Sequence, residues 1–79
     1  MSKTHYLKTW PEFFQAMKSG KKTFELRKND RDYQVGDTLV LQEYDPINGY
    51  TGDEIQREVT YTLDSQPFVP EGYICMAVK

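Results

Sequence analysis

The stretch "TWPEFFQAMKSGKKTFELR", residues 9–27, predicts a short helix followed directly by a β-strand. Pro11 is tolerated in the first turn of a helix, because the amide hydrogen it lacks has no partner there. Gly20 is typical of the residue just past a helix end. These two signals predict a helix over residues 10–18. Together with the strand that follows, the helix predicts a fold that contains both helix and sheet.

The helix carries two further signals. Thr9 and Glu12 have the spacing of a capping box, in which each side chain accepts a hydrogen bond from the backbone N–H of the other residue. Large apolar residues recur at i, i+3, i+4 and i+7, which places them on one helical face. We therefore predict a core-facing stripe of Trp10, Phe13, Phe14 and Met17. In an alternative interpretation, Trp10 lies at the edge of a cleft and stacks on a base.

Residues 22–28 alternate as a β-strand, with Phe24 and Leu26 on one face and Glu25 and Arg27 on the other. Apolar side chains of a half-buried strand normally face the core. We therefore predict that Phe24 and Leu26 are buried, together with Val40 and Ile74 from later strands.

The remaining patterns predict four more strands and several loops. The strands are "THYLK" (4–8), "TLVLQEY" (38–44), "EIQREVTYTL" (54–63) and "YICMAV" (73–78), with a loop over residues 45–53. In the strand at 54–63, Ile55, Val59, Tyr61 and Leu63 alternate with polar residues and share one face, where Arg57 interrupts the apolar pattern. Five strands and one helix predict an α+β, mainly β fold, a small, mostly antiparallel barrel capped by the helix.

Length and composition exclude several classes of protein. A chain of 79 residues has room for a single domain, residues 1–79. No apolar run approaches the roughly 18 residues that span a bilayer, and the N-terminus lacks a basic and apolar leader, so we predict a cytoplasmic protein without a membrane partner. Cys75 has no second cysteine, and His5 is the single histidine. We therefore predict no disulfide, metal or cofactor.

Charge is distributed unevenly along the chain. Residues 1–36 have a formal charge of +4 and residues 37–79 a formal charge of −6, within a total of −2. The negative total argues against strong non-specific adhesion to duplex nucleic acid, because that adhesion grows with the number of phosphates neutralised. A small cationic pocket in the N-terminal half is compatible with these charges.

The segment "GKKTFELR", residues 20–27, fits the pattern Gly-x-Lys-x-x-Glu-x-Arg and resembles the ASCH domain family of the PUA-like superfamily. The segments "HYLKTWPEFF", "RKNDRDYQVGD", "YTG" and "GYICMAV" extend the resemblance over nearly the whole chain, to a small bacterial and phage-associated branch of unassigned function. The resemblance implies a PUA-like barrel and a cleft beside the motif that binds RNA or a nucleotide. Because one fold hosts many functions, the predicted ligand binding must be supported by the chemistry of the residues in the motif.

The motif residues suit recognition of a nucleotide. Lys22 provides a flexible ammonium for phosphate, and Arg27 a planar fork for phosphate or a base edge, held in place by Glu25. If they serve recognition alone, Lys22→Ala and Arg27→Ala should each change stability by about 0.5 kcal/mol or less. In the alternative, Glu25 and Arg27 form an exposed ion pair that contributes about 0 to 1 kcal/mol.

Three further residues complete the predicted ligand-binding set. Asn29 and Arg31 lie in the loop after the motif, where a second arginine widens the positive mouth of the cleft. His5 is expected on a strand beside the motif strand, where an imidazole can donate to a base. A lone histidine on a short strand is more often structural, so a structural role is the favoured interpretation of His5 and ligand binding is the second.

A hydrolase is the second function that the resemblance implies. Some ASCH proteins that resemble this chain remove an acyl group from a modified cytidine with a Lys, a Thr three residues later and a distant Glu. Lys22 matches the Lys, but Glu25 occupies the Thr position, and we expect no additional helix to supply the distant carboxylate. The alternative function is therefore amide hydrolysis on a modified nucleoside, with Lys22 and Glu25 as acid and base.

Overall fold

The computed structural model describes residues 2–79, which form one helix and five strands. In chain order these are β1 (Thr4–Thr9), α1 (Pro11–Lys18), β2 (Phe24–Lys28), β3 (Thr38–Asp45), β4 (Gly49–Leu63) and β5 (Tyr73–Val78). The predicted α+β, mainly β class is confirmed. No helix in the described range is long and apolar enough to cross a membrane.

The five strands form a mixed sheet in the order β1-β3-β4-β5-β2. The β1–β3 pair is parallel and the other three pairs are antiparallel. β4 has 15 residues. Its first part pairs with β3 and its last part with β5, so the sheet is continuous around the core. β1 and β2 are the two edges, and no backbone ladder joins them within residues 2–79. The sheet is therefore open there, and a closed barrel is not confirmed.

The hydrophobic core lies between the inner face of the sheet and α1. Its fully buried members include Phe14 and Met17 from the helix and Leu39, Leu41, Val59 and Met76 from the strands. The predicted burial of Phe14, Val40 and Ile74 is confirmed, although Val40 lies on the opposite face of β3 from Leu39 and Leu41.

Half of the predicted helical stripe is exposed. Trp10 is 57% exposed and Phe13 is 46% exposed, whereas Phe14 and Met17 are buried. Trp10 precedes the helix with φ −61° and ψ 149°, an extended conformation, so helical periodicity does not govern where its side chain points. Phe13 lies at the margin of the buried face of a helix of only eight residues. The prediction that both residues belong to the core is wrong.

The predicted capping box is also absent. Trp10 is the N-cap residue, and no side chain caps the helix. Thr9 is instead the last residue of β1, where its buried hydroxyl accepts a hydrogen bond from Arg27. Pro11 opens the helix as predicted, and the last turn is followed by Gly20 in a left-handed conformation with φ 84°.

The burial of β2 is the reverse of the prediction. Phe24 is 50% exposed and Leu26 is 51% exposed, whereas Glu25 is 3% exposed. The outward residues pair across the sheet with Ala77 and Cys75 of β5, so they belong to an apolar outer face. Glu25 tolerates burial because its charge is compensated by the cations described below. The prediction that Phe24 and Leu26 are core residues is therefore wrong.

β4 differs from the predicted strand in both length and phase. It begins at Gly49, so much of the predicted loop at 45–53 is strand. A β-bulge between Val59 and Tyr61 inserts one extra residue opposite β5. A bulge reverses the alternation beyond it, and Tyr61 is accordingly 66% exposed although Val59 is fully buried, so the two residues do not share a face as predicted.

Candidate functional site

A cleft of about 430 Å³ opens between the end of β1, the start of α1 and β2. Ligand pockets for small molecules span about 300 to 1,000 Å³, so its volume suits a ligand of nucleotide size. Lys22, Glu25 and Arg27 all line it. The structure thus brings the three charged motif residues together on one concave surface.

Glu25 lies at the centre of this group and is almost completely buried. Its Oε1 accepts a hydrogen bond from Lys22 Nζ at 2.7 Å, and its Oε2 accepts one from Arg27 Nε at 2.8 Å. The side chains of Lys22 and Arg27 are 18% and 26% exposed, compared with 3% for Glu25. Two cations therefore share one carboxylate, and the group keeps an excess positive charge that faces the cleft.

Arg27 is also anchored to the end of β1. Its Nη2 donates to the backbone carbonyl of Lys8 at 2.9 Å and to Thr9 Oγ1 at 3.3 Å. Within residues 2–79, its Nη1 has no hydrogen-bond partner. A guanidinium held on one side in this way presents its remaining N–H groups in a fixed direction, as recognition of an anion requires.

Two phenylalanine rings lie close to the Lys22 ammonium. Lys22 Nζ lies 5.0 Å from the ring centre of Phe24 and 5.7 Å from that of Phe13, within the range of cation–π attraction. Trp10 and Phe13 line the cleft and leave about half of their side chains exposed. This placement favours the alternative interpretation of Trp10, a side chain at a cleft edge that is accessible to a base.

Lys8 and Thr9 line the cleft as well, although they are not among the ligand-binding residues predicted from the sequence. Lys8 Nζ lies 4.7 Å from the ring centre of Tyr44 on β3 and 5.9 Å from that of Tyr50 on β4. The feature of the sequence that could have indicated them is their position directly before the helix, within the segment HYLKTWPEFF that carries the family resemblance.

The other three predicted residues lie outside the lining of the cleft. Arg31 donates from Nη1 to the carbonyl of Tyr6 at 3.0 Å, farther along β1. Asn29 is exposed, and its backbone N–H donates to the Gly72 carbonyl at 2.8 Å. His5 is 6% exposed and its Nε2 lies 2.8 Å from Asp37 Oδ2, in agreement with the structural role that the sequence favours for it.

Asp37 forms a buried polar centre that is not part of the cleft lining. It is 1% exposed and accepts hydrogen bonds from His5 Nε2 and from the backbone N–H groups of Lys3 and Gln34. Burial alone would raise the pKa of Asp37, but these hydrogen bonds outweigh it and lower the pKa below its ordinary value of 3.8. The carboxylate therefore fastens the start of β1 to the turn before β3.

Asp37→Asn is expected to destabilise the protein by about 2 kcal/mol at pH 7, because the amide accepts fewer of these bonds. A carboxyl with a depressed folded-state pKa contributes stability above its unfolded pKa and loses it as pH falls through the folded value. The difference between the two proteins should therefore shrink below about pH 4. Urea midpoints from pH 2 to 7 measure it, with exposed Asp32→Asn as the control. A difference that is constant over this range would contradict the assigned role.

Within residues 2–79, no three His, Cys, Asp or Glu side chains are grouped as a metal site requires. Cys75 is partly buried on the outer face of β5.

The fold and the cleft define a small, mainly β domain with a cationic cleft edged by aromatic side chains. Residues 4–78 match the model of a family described as a domain of unknown function, DUF3850. The chain belongs to that family. It is similar to the "Uncharacterized 12.9 kDa protein in GpA 3′region" of Escherichia phage P2, with 35% identity over 77 residues, 96% of this chain and 68% of the phage protein. The predicted likeness to a phage-associated protein is confirmed, and the ASCH assignment stays a prediction.

Proposed function

We propose that the cleft binds a nucleotide, either free or within single-stranded RNA, and that the domain is an ASCH-type, PUA-like binding module. The observation that carries this proposal is the placement of exposed Trp10 and Phe13 beside the anchored cations Lys22 and Arg27. A nucleotide has one flat apolar part and one anionic part. The cleft offers a surface for each.

The energies of stacking and of phosphate contacts predict that the cleft binds nucleotides weakly and with little preference for the base. Stacking of a base on an aromatic side chain is worth about 1 to 3 kcal/mol and tolerates every base. Two or three cations release few counterions, so affinity should fall only moderately with salt. Binding of this kind has modest sequence preferences, which come from stacking strength and backbone flexibility and not from hydrogen bonds to base edges.

The geometry favours binding over the hydrolase alternative. A general base must reach the proton that it removes. Both oxygens of Glu25 already accept charged hydrogen bonds, from Lys22 and from Arg27. The arrangement therefore holds the cations in place, and nothing in it favours proton transfer between Glu25 and a substrate.

Fluorescence of Trp10, the single tryptophan, tests the proposal directly. AMP and oligoadenylate should quench it in a saturable way, and Lys22→Gln should weaken both ligands about tenfold, because both lose the same phosphate contact. The salt slope should fall by about 0.7 to 1 in the variant. The matched control is Lys18→Gln, which removes the same charge from an exposed pair with Asp53 outside the cleft. Absence of quenching by every nucleotide, or equal affinity of Lys22→Gln and wild type, would contradict the proposal.

A further inference from the structure

Two arginines, Arg27 on β2 and Arg31 in the loop that follows it, bridge the gap to the edge strand β1. Arg27 Nη2 donates to the carbonyl of Lys8 at 2.9 Å, and Arg31 Nη1 donates to the carbonyl of Tyr6 at 3.0 Å. Tyr6 and Lys8 are two residues apart on β1, so their carbonyls point to the same side of the strand. We call this row, Arg27 and Arg31 with the carbonyls that they contact, the arginine seam.

The seam has a regular spacing. Two residues of a parallel strand rise by roughly 6.6 Å, so the two guanidinium groups are held about that far apart. This separation is similar to that of consecutive phosphates along an extended single strand. One guanidinium belongs to the cleft and the other lies one step beyond it.

The seam suits an anionic polymer better than a peptide strand. A peptide that joins a sheet edge needs the free carbonyls of that edge, and Tyr6 and Lys8 already accept bonds from the arginines. The arginine side chains themselves remain accessible, with 26% exposure for Arg27 and 47% for Arg31. Arg31 Nε is 4.0 Å from Asp30 Oδ1, which is too far for a hydrogen bond, so the nearby carboxylate does not occupy its donors.

We propose that the arginine seam binds the backbone of a single-stranded nucleic acid, with one phosphate at Arg27 and Lys22 and the next at Arg31. This inference rests on the proposed function, because it extends the nucleotide cleft by one position. It names the ligand as an oligonucleotide of at least two or three units. Trp10 and Phe13 stack on the base in the cleft, and the strand continues along β1 toward Tyr6.

The test is the dependence of affinity on ligand length, measured with 5′-phosphorylated oligoadenylates of one, two, three, four and six nucleotides. Affinity should rise about tenfold or more between AMP and the trinucleotide, because the second phosphate binds from a high effective concentration, and then level off. Arg31→Gln should remove most of this rise and leave AMP affinity within about twofold of wild type. Lys22→Gln should weaken every length equally.

Arg31→Lys separates charge from geometry. A lysine keeps the charge but does not bond a carbonyl and a phosphate with one planar group. The Arg31→Lys variant should therefore show only part of the increase in affinity with oligonucleotide length that the wild type shows. Lys18→Gln is the control for lost charge, and the urea midpoint of Arg31→Gln shows whether the fold is intact.

The outcomes distinguish this inference from the proposed function. AMP affinity equal to that of the hexamer, or an equal loss for AMP and hexamer in Arg31→Gln, would overturn the seam and leave the nucleotide cleft in place. Absence of binding at every length would overturn both. Equal competition by oligoglutamate of the same charge would identify general anion attraction and overturn the seam.

Discussion

Phe14→Ala is expected to lower the free energy of unfolding by about 3 to 5 kcal/mol. Phe14 is 0% exposed and packs in the core with Met17 and the inner strand residues. Removal of its ring deletes buried apolar area and leaves a cavity that a short helix on a rigid sheet cannot fill. A domain of this size has a total stability of about 4 to 12 kcal/mol, so the variant should lie near the limit of folding.

Phe24→Ala is the matched control, since it makes the same chemical change on a residue that is 50% exposed. Its cost should be about 1 kcal/mol, because much of the ring contacts water in both states. Urea denaturation followed by circular dichroism compares the two variants, and Phe14→Leu provides a smaller step if the alanine variant does not fold. Equal midpoints for Phe14→Ala and Phe24→Ala would contradict the assigned phase of β2.

This pair of phenylalanines shows where sequence reasoning succeeds and where it fails. Alternation along β2 fixes which residues share a face, but it does not fix which face points to the core. The apolar face was the expected inner face, and in the structure it is the outer one. That choice depends on neighbouring strands. The inner position of Glu25 is possible only because Lys22 and Arg27 meet its two oxygens.

The helix was predictable where local rules apply. Pro11 and Gly20 fix its start and the end of its last turn through backbone constraints that act within a few residues. Trp10 was misassigned because it stands one residue outside the helix, where the 3.6-residue period no longer holds. The bulge in β4 was equally hidden, since no residue type around Val59 and Tyr61 marks an insertion.

The candidate site was predictable in part for a similar reason. Lys22, Glu25 and Arg27 lie within six residues, so their meeting depends on one strand and the turn before it. The contacts of Arg27 with Lys8 and of Arg31 with Tyr6 link β2 and the loop after it to β1, the strand at the opposite edge of the sheet. Only the curvature of the whole sheet brings those edges together, and the sequence does not encode that curvature in any local pattern.

Arg27→Ala is the second variant for which we expect a large effect, a loss of about 2 to 4 kcal/mol of unfolding free energy. This exceeds the limit of about 0.5 kcal/mol expected from the sequence, because the partner of Arg27 is a buried carboxylate and not an exposed one. Removal of the guanidinium leaves Glu25, 3% exposed, with Lys22 as its remaining cation. It also removes the bond to the Lys8 carbonyl that holds the edge of β1.

A double-mutant cycle shows whether this loss comes from the buried charge. Glu25→Ala alone should cost less than Arg27→Ala, because Lys22 and Arg27 are partly exposed and water solvates them once the carboxylate is gone. In the Arg27→Ala background, Glu25→Ala should be neutral or stabilising, since it removes the poorly compensated carboxylate. We expect a coupling energy of about 1 to 3 kcal/mol, measured from urea midpoints at low salt.

The pair of Lys18 and Asp53 is the control cycle, an ion pair with an N–O distance of 3.3 Å and side chains that are 50% and 53% exposed. Its coupling should be below about 0.5 kcal/mol and should vanish at high salt, as for other exposed pairs. The coupling of Glu25 and Arg27 should largely persist there, because burial shields it from screening. Additive losses for Glu25 and Arg27 would show that Arg27 stabilises the protein through the β1 edge alone. The carboxylate would then be dispensable to the cleft, and its two cations would be positioned by their own packing.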